Sequence, residues 1–277
     1  MRCFDIHHHV GSLALDDSAS TAGTDPAADM AVRLRVMDRH EIDAAAVMPS
    51  LQFSRLHGAA DTVAANDAAA AYRDANSERF PVAIGTVDPL TGPEACAREI
   101  DRAVNELGMA GLVWHHRFQG LFLSDQRMQP LLRQTSELGV PVFIHLFAES
   151  TMEAPWALEK WAERFPEQTF VGLDAFTSFT QSKYLLAIGR RCPNILFETA
   201  GAFPLGRIIQ EFVAELGAQR VIFGSDLYVD PMTWDSPSSL LEIRMTESIS
   251  DDDKHAILVG NSRRLLGLPD ELTARPV

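Results

Sequence analysis

The segment Phe4-Asp5-Ile6-His7-His8-His9-Val10-Gly11 decides how the rest of the chain is read. A β-strand sends successive side chains to opposite faces. As a strand, this segment sets His7 and His9 side by side on one face, with Asp5 one step below them. His8 then points the other way, towards covering helices. Two imidazoles so placed can grip one divalent ion, and histidine is the commonest nitrogen ligand for zinc, iron and copper. A purification-tag remnant is the dull alternative, but only three histidines stand here and an apolar lead runs into them. The metal reading requires further ligands from other strands.

Outward from this segment the chain alternates apolar strands with amphipathic helices. Residues 11–24 lack a period and read as a long loop, of the kind that serves as a lid or binding segment. Asp25-Pro26 starts a helix that ends near His40. Strands are expected at 42–49, 80–87, 109–115, 140–146, 169–173, 194–199 and 220–226. Between them lie helices at 58–77, 93–107, 128–138, 155–165, 183–191 and 205–216, and a last helix spans 252–266. Gly108, Gly139 and Gly217 act as helix stops. Eight strands at intervals of roughly thirty residues, each followed by a helix, describe βαβ units and a parallel sheet. No Gly-x-Gly-x-x-Gly turn follows the first strand, which argues against an open dinucleotide-binding sheet. The expected fold is therefore α/β, a single (β/α)₈ TIM barrel over residues 1–277.

Composition fits that fold. Hydrophobic residues make up 46% and charged residues 22%, enough for a packed core. Thirty-eight acidic against 24 basic side chains give a charge of −14, which repels nucleic acid and anionic lipid. Cys3, Cys96 and Cys192 are odd in number and widely spaced, as in a reduced cytoplasmic protein. No signal peptide or membrane span is read. The expected partner is a small-molecule substrate.

In such barrels the active site lies at the C-terminal ends of the strands. Besides His7 and His9, the strand ends present His145, Asp174, Glu198 and Asp226, each after an apolar strand body. Singly, a strand-end aspartate often caps the next helix and a lone histidine often sits satisfied in a core. Barrel closure, however, brings all these ends to one place.

The chain resembles the amidohydrolase superfamily, in its amidohydrolase-related branch of hydrolases and non-oxidative decarboxylases. The resemblance rests on Asp5-x-His7-x-His9, Asn66-Asp67, Val87-Asp88-Pro89 and Gly111-Leu112-Val113-Trp114-His115. It continues through Gly139-Val140-Pro141 leading to His145, Gly224-Ser225-Asp226 and Gly260-Asn261-Ser262. It implies that His7, His9 and Asp226 hold a metal and that His145 is a further ligand. Asp226 doubles as proton acceptor and, with His145, forms the catalytic pair. Where the branch usually has a histidine, this chain has Asp174, either an oxygen ligand for a second ion or a residue that shapes the site. Glu198 stands in reserve as a ligand. His115 and His116 match a segment that is usually structural. Homodimers are frequent among relatives.

The leading expectation is a hydrolase in which one or two divalent ions, zinc with iron or manganese as alternatives, activate water. The carbonyl attacked belongs to an ester, thioester, lactone or amide of an apolar-acyl or aromatic substrate. A metal-dependent decarboxylase of an aromatic or unsaturated acid is the second reading, and a non-catalytic metal-binding barrel the third. Phe147, Phe176, Phe179 and Phe203 are expected as an apolar collar, and Arg117 as a partner for a substrate carboxylate.

Overall fold

The computed structural model describes residues 2–12, 25–50, 57–201 and 206–269. Eight parallel strands succeed one another in chain order: β1 (Cys3–Val10), β2 (Ile42–Pro49), β3 in two pieces (Val82–Ala83 and Gly85–Thr86) and β4 (Leu112–Trp114), followed by β5 (Val142–His145), β6 (Phe170–Leu173), β7 (Ile195–Glu198) and β8 (Val221–Ile222). The break in β3 does not open the sheet. Ile84 donates back to Val47 O of β2 at 2.8 Å, and Gly85 donates on to Gly111 O beside β4 at 2.9 Å. The seam between β8 and β1 closes through Ile6 N to Phe223 O (3.2 Å), His9 N to Leu227 O (2.9 Å) and Leu227 N to His7 O (3.3 Å). The result is a closed (β/α)₈ barrel.

Two apolar layers hold it. Phe4, Ile6, Ala46, Met48, Val113, Phe143, Val171 and Ile222 fill the barrel interior. Their strand neighbours, among them Ala45, Val47, Trp114, Ile144, Phe170 and Phe223, pack outward against the helices. These are α1 (Pro26–Arg39), α2 (Ala59–Ala75), α3 (Pro93–Asp101, widening into π-type turns over Arg102–Glu106), α4 (Met128–Leu138), α5 (Pro155–Arg164), α6 (Phe179–Arg191) and α7 (Gly206–Leu216). An added helix, α8 (Ser238–Met245), has no counterpart in the sequence reading. The C-terminal helix, α9, runs from Asp251–His255 through Ala256–Gly260 to Asn261–Leu265.

Local signals placed several helix ends correctly. Asp25 caps α1 by accepting from Ala27 N at 3.0 Å, with Pro26 at its first position. Gly139, with φ 69°, ends α4 in the left-handed conformation that glycine adopts most readily. Apart from Gly11 and Ser12, the loop expected over residues 11–24 lies outside the described residues, as does Leu205. No described helix is long and apolar enough to cross a membrane.

The strand reading of β1 needs one correction. Asp5 does not share the face of His7 and His9. On β1 three steps separate Asp5 from His8, but their partners Ala45 and Val47 on β2 are two steps apart. The extra residue is a β-bulge, which shifts the alternation by one. Phe4 and Ile6 therefore face the interior below the bulge, while His7 and His9 face it above. Asp5 turns away with His8 and contacts its Nε2 at 2.7 Å.

Candidate metal centre

His7 and His9 leave β1 with their Nε2 atoms 2.9 Å apart. What lies behind each ring explains why. His9 Nδ1 is 3.0 Å from the carbonyl oxygen of Pro49, which only accepts, so Nδ1 carries the hydrogen. His7 Nδ1 meets Glu198 Oε2 at 3.2 Å, again an acceptor. In their neutral forms both rings thus turn an Nε2 lone pair into the same spot. Asp226 Oδ1 joins them, 3.5 Å from His7 Nε2 and 3.3 Å from His9 Nε2. Two lone pairs and a carboxylate facing one another require a cation between them, and this donor set fits a divalent metal ion.

The electrostatics of the site favour positive charge at the same spot. Burial alone would depress His7, but the carboxylates of Glu198, Asp226 and Asp174 outweigh it and push the ring up to about 10. Burial holds His9 below its ordinary value. Glu198, Asp226 and Asp174 thus draw positive charge to the place where the two Nε2 atoms meet. Burial favours the neutral acid at Asp226 too, yet His7 and His9 hold it down at about 2, so it is a carboxylate.

The other side of the hollow comes from β5 and β6. His145 contacts Glu153 Oε2 through Nδ1 at 2.9 Å and Asp174 Oδ2 through Nε2 at 3.1 Å. Burial opposes its charge, but Asp174 and Glu153 raise its pKa. Asp174 follows the inward-facing Leu173, and strand alternation alone would send it outward. Its φ of 55° is left-handed, a region aspartate tolerates better than most residues, and this returns the carboxylate to the site. Asp226 has the same φ. Burial, with the charges of Asp226 and Glu198, pushes Asp174 up to about 7 against the pull of His145 and His7.

Glu198 lies close enough to His7 and Asp174 to hold an ion with them, as read for it, and it also makes hydrogen bonds of its own. Its Oε2 accepts from Asp174 N at 2.9 Å and faces His7 Nδ1, while Oε1 accepts from Ala200 N at 2.6 Å. With both oxygens engaged, the carboxylate buttresses His7 from behind. Gly224 makes room for it: a Cβ there would lie 2.7 Å from Glu198 Cδ and 2.8 Å from His7 Cβ. Asp5 Oδ1 accepts from Ser225 N at 3.0 Å and His7 N at 3.1 Å, tying the first motif to the Gly224-Ser225-Asp226 turn.

The collar of phenylalanines does not form as read. Phe176 packs on Phe212 in the outer layer, with ring centroids 4.8 Å apart, and Phe179 is exposed on α6. Phe203 lies outside the described residues. Phe147 does stand at the strand ends, under the Arg117 guanidinium at 5.1 Å. Tyr228 stacks on His9 at 4.3 Å. Sequence reading passed over Tyr228, Glu153 and Gln181. Gln181 donates to Asp174 O at 2.6 Å and accepts from Ala148 N at 2.6 Å, joining the loops after β5 and β6. None of the three belongs to a motif; only their nearness to strand ends hinted at them.

Comparison with known proteins narrows the chemistry. A family model described as amidohydrolase matches residues 4–268. The γ-resorcylate decarboxylase of Polaromonas sp. is 24% identical, over 85% of this chain and 86% of that protein. The 2-amino-3-carboxymuconate-6-semialdehyde decarboxylase of Dictyostelium discoideum is 24% identical over 73% of this chain. The alignment spans 65% of that relative, just under two thirds of its length. A 5-carboxyvanillate decarboxylase from Novosphingobium aromaticivorans, complexed with manganese and a nitrobenzoic acid, shares the fold at TM-score 0.70 and 17% identity, covering 96% of each chain. These relatives overturn the expectation of a hydrolase or thioesterase: the activities they carry are decarboxylations.

Proposed function

The chain belongs to the amidohydrolase family, and on that premise we propose that it is a metal-dependent non-oxidative decarboxylase of an aromatic or unsaturated carboxylic acid. The observation that carries this reading is the meeting of the two Nε2 lone pairs with Asp226 at the mouth of the barrel. The names of the relatives supply the direction of the chemistry. His7, His9, His145 and Asp226 would hold one divalent ion, through mixed nitrogen and oxygen donors that suit manganese as well as zinc or iron. When bound, the ion supplies a positive anchor for the oxygen atoms of the substrate.

The reaction exchanges a carbon–carboxylate bond for a carbon–hydrogen bond. A proton adds to the carbon bearing the carboxylate, the carbon–carbon bond breaks, its electron pair returns to the unsaturated system, and carbon dioxide leaves. One group must hold that proton while its neighbours stay ionised. Asp226, held at about 2, is unsuited to it, whereas Asp174, pushed up to about 7 by burial and placed beside His145, is the acid for this step. Two carboxyls pushed apart in this way divide the work of binding and of acid catalysis. Arg117 lies over Phe118 and Phe147, with its Nε 3.7 Å from Glu153 Oε2, and supplies positive charge for an anionic substrate.

The test is carbon dioxide release by the metal-loaded protein from a panel including γ-resorcylate and 5-carboxyvanillate, with deuterium from heavy water expected at the vacated carbon. Asp174→Asn should lower kcat by roughly 10²–10⁴-fold while retaining the metal. A protein with full metal occupancy and no carbon dioxide release from any member would sink the proposal.

A further inference from the structure

One buried carboxylate has no part in the steps above. Glu153 lies eight residues past His145, in the loop before α5, and is fully buried. Its Oε2 is 2.9 Å from His145 Nδ1, and its Oε1 is 2.6 Å from His115 Nδ1. Oε1 also accepts from Arg117 N at 2.8 Å. The two imidazoles stack with centroids 3.7 Å apart and planes 14° from parallel, and Phe118 covers the other face of His115 at 3.9 Å. One carboxylate thus faces two histidines, one at the end of β5 and one just after β4.

The chemistry of the contacts is one-sided. An ionised carboxylate has no hydrogen to give, so His145 Nδ1 must give its own. His115 Nδ1 lies against Oε1 as a close polar contact outside hydrogen-bond geometry. The nitrogen that carries the proton in a neutral imidazole is set by the partner of the other nitrogen. For His145 that leaves Nε2 with its lone pair, directed at the hollow shared with Asp174. The stack on His115 holds the plane of the ring. Glu198 does the same for His7 by direct contact, so two of the proposed ligands have a dedicated carboxylate behind them.

We propose that Glu153 is a positioning residue that fixes His145 as its Nδ1–H tautomer with Nε2 presented to the metal, and that His115 is the second imidazole that holds Glu153 in register. The proposal rests on the reading that His145 faces the ion. A carboxylate behind a metal-bound histidine typically strengthens metal affinity by roughly 10–100-fold.

The experiment begins with the metal-free wild type, because a tautomer can be read without metal or activity. Imidazole nitrogen–proton correlations, assigned with His145→Ala and His115→Phe, should show His145 protonated at Nδ1. Protonation at Nε2 alone would overturn the proposal even if no variant folded. Glu153→Gln keeps the shape but turns an amide donor towards one of the two rings. It should shift the His145 nitrogen signals and weaken manganese binding, measured by chelator competition, by roughly 10–100-fold. A purely packing role would leave both unchanged, and that outcome overturns the proposal. His115→Phe keeps the stack and the Glu153–His145 contact, so it should lose less affinity than Glu153→Gln; an equal or larger loss would overturn it. Glu153, His115 and His145 also lie close enough to hold an ion themselves. Two manganese ions per wild-type chain falling to one in Glu153→Gln would make the cluster a second metal site and end the positioning role. A wild type that binds no manganese refutes the metal-dependent decarboxylase, while the tautomer measurement still decides the local role of Glu153.

Discussion

Gly224 shows how a single missing carbon can set the chemistry of a site. In the sequence it is part of a Gly-Ser-Asp element recognised for its aspartate. In the fold its absent side chain is the space occupied by Glu198 behind His7. Gly224→Ala should therefore act through His7: the Glu198 carboxylate is displaced, the ring loses the acceptor that orients it, and the interior is overpacked. The expected result is manganese affinity lower by roughly 10–100-fold and a stability loss of about 1–3 kcal/mol. Chelator competition and denaturant unfolding read the two effects separately, and wild-type values in both would mean that the neighbours yield without cost. The same scale explains the division between the two aspartates. Both have φ of 55°, but the imidazoles of His7 and His9 hold Asp226 at about 2 against its burial, whereas burial, with the charges of Asp226 and Glu198, pushes Asp174 up to about 7.

At the scale of elements, the work falls on strand ends and on the seam where the barrel closes. Arg33 projects from α1, fully buried, and donates to His9 O at 2.8 Å and Leu227 O at 3.4 Å, so one guanidinium spans both sides of the seam. Asp29, one turn earlier, accepts from Arg33 Nη2 at 3.2 Å and from Tyr72 Oη of α2 at 2.5 Å. Removing Arg33 leaves a buried carboxylate facing Tyr72 and takes a donor from His9 O, while Leu227 O keeps only His9 N. Arg33→Ala should thus cost about 3–5 kcal/mol, seen as a lower denaturant midpoint; a loss under about 1 kcal/mol would show that water replaces the guanidinium. Helix bounds such as Pro26–Arg39 and Met128–Leu138 were legible because caps, proline and glycine act within a turn of where they stand. Asp5 was misread because a bulge depends on pairing with β2, which no window around Asp5 contains.

For the whole molecule, the proposed ligands come from β1, β5 and the turn after β8, so a bound ion would tie the first and last strands together. A ligand that binds only the native state adds stability by mass action, about 2.7 kcal/mol at a free concentration one hundred times Kd. For a chain of this size, chelation should lower Tm by roughly 5–10 °C, restored by adding manganese. A Tm indifferent to chelator and to added ion would mean that the native barrel holds no metal. By itself the sequence determined the (β/α)₈ order, the approximate strand ends, and His7, His9, His145, Asp174 and Asp226 as residues brought to one mouth. It could do so because alternation, helix signals and barrel closure are short-range or generic rules that these residues satisfy wherever the loops run. The reaction was not legible there, since the same donors serve hydrolysis and decarboxylation alike, and the relatives decided between them. Only the tertiary structure decided that Glu198 and Glu153 stand behind histidines, that Gly224 gives one of them room, and that Phe176 turns outward. Those facts depend on one-residue shifts of register and on contacts between residues far apart in the chain, as with His7 and Glu198, where the energy of a site is set by what touches it in space.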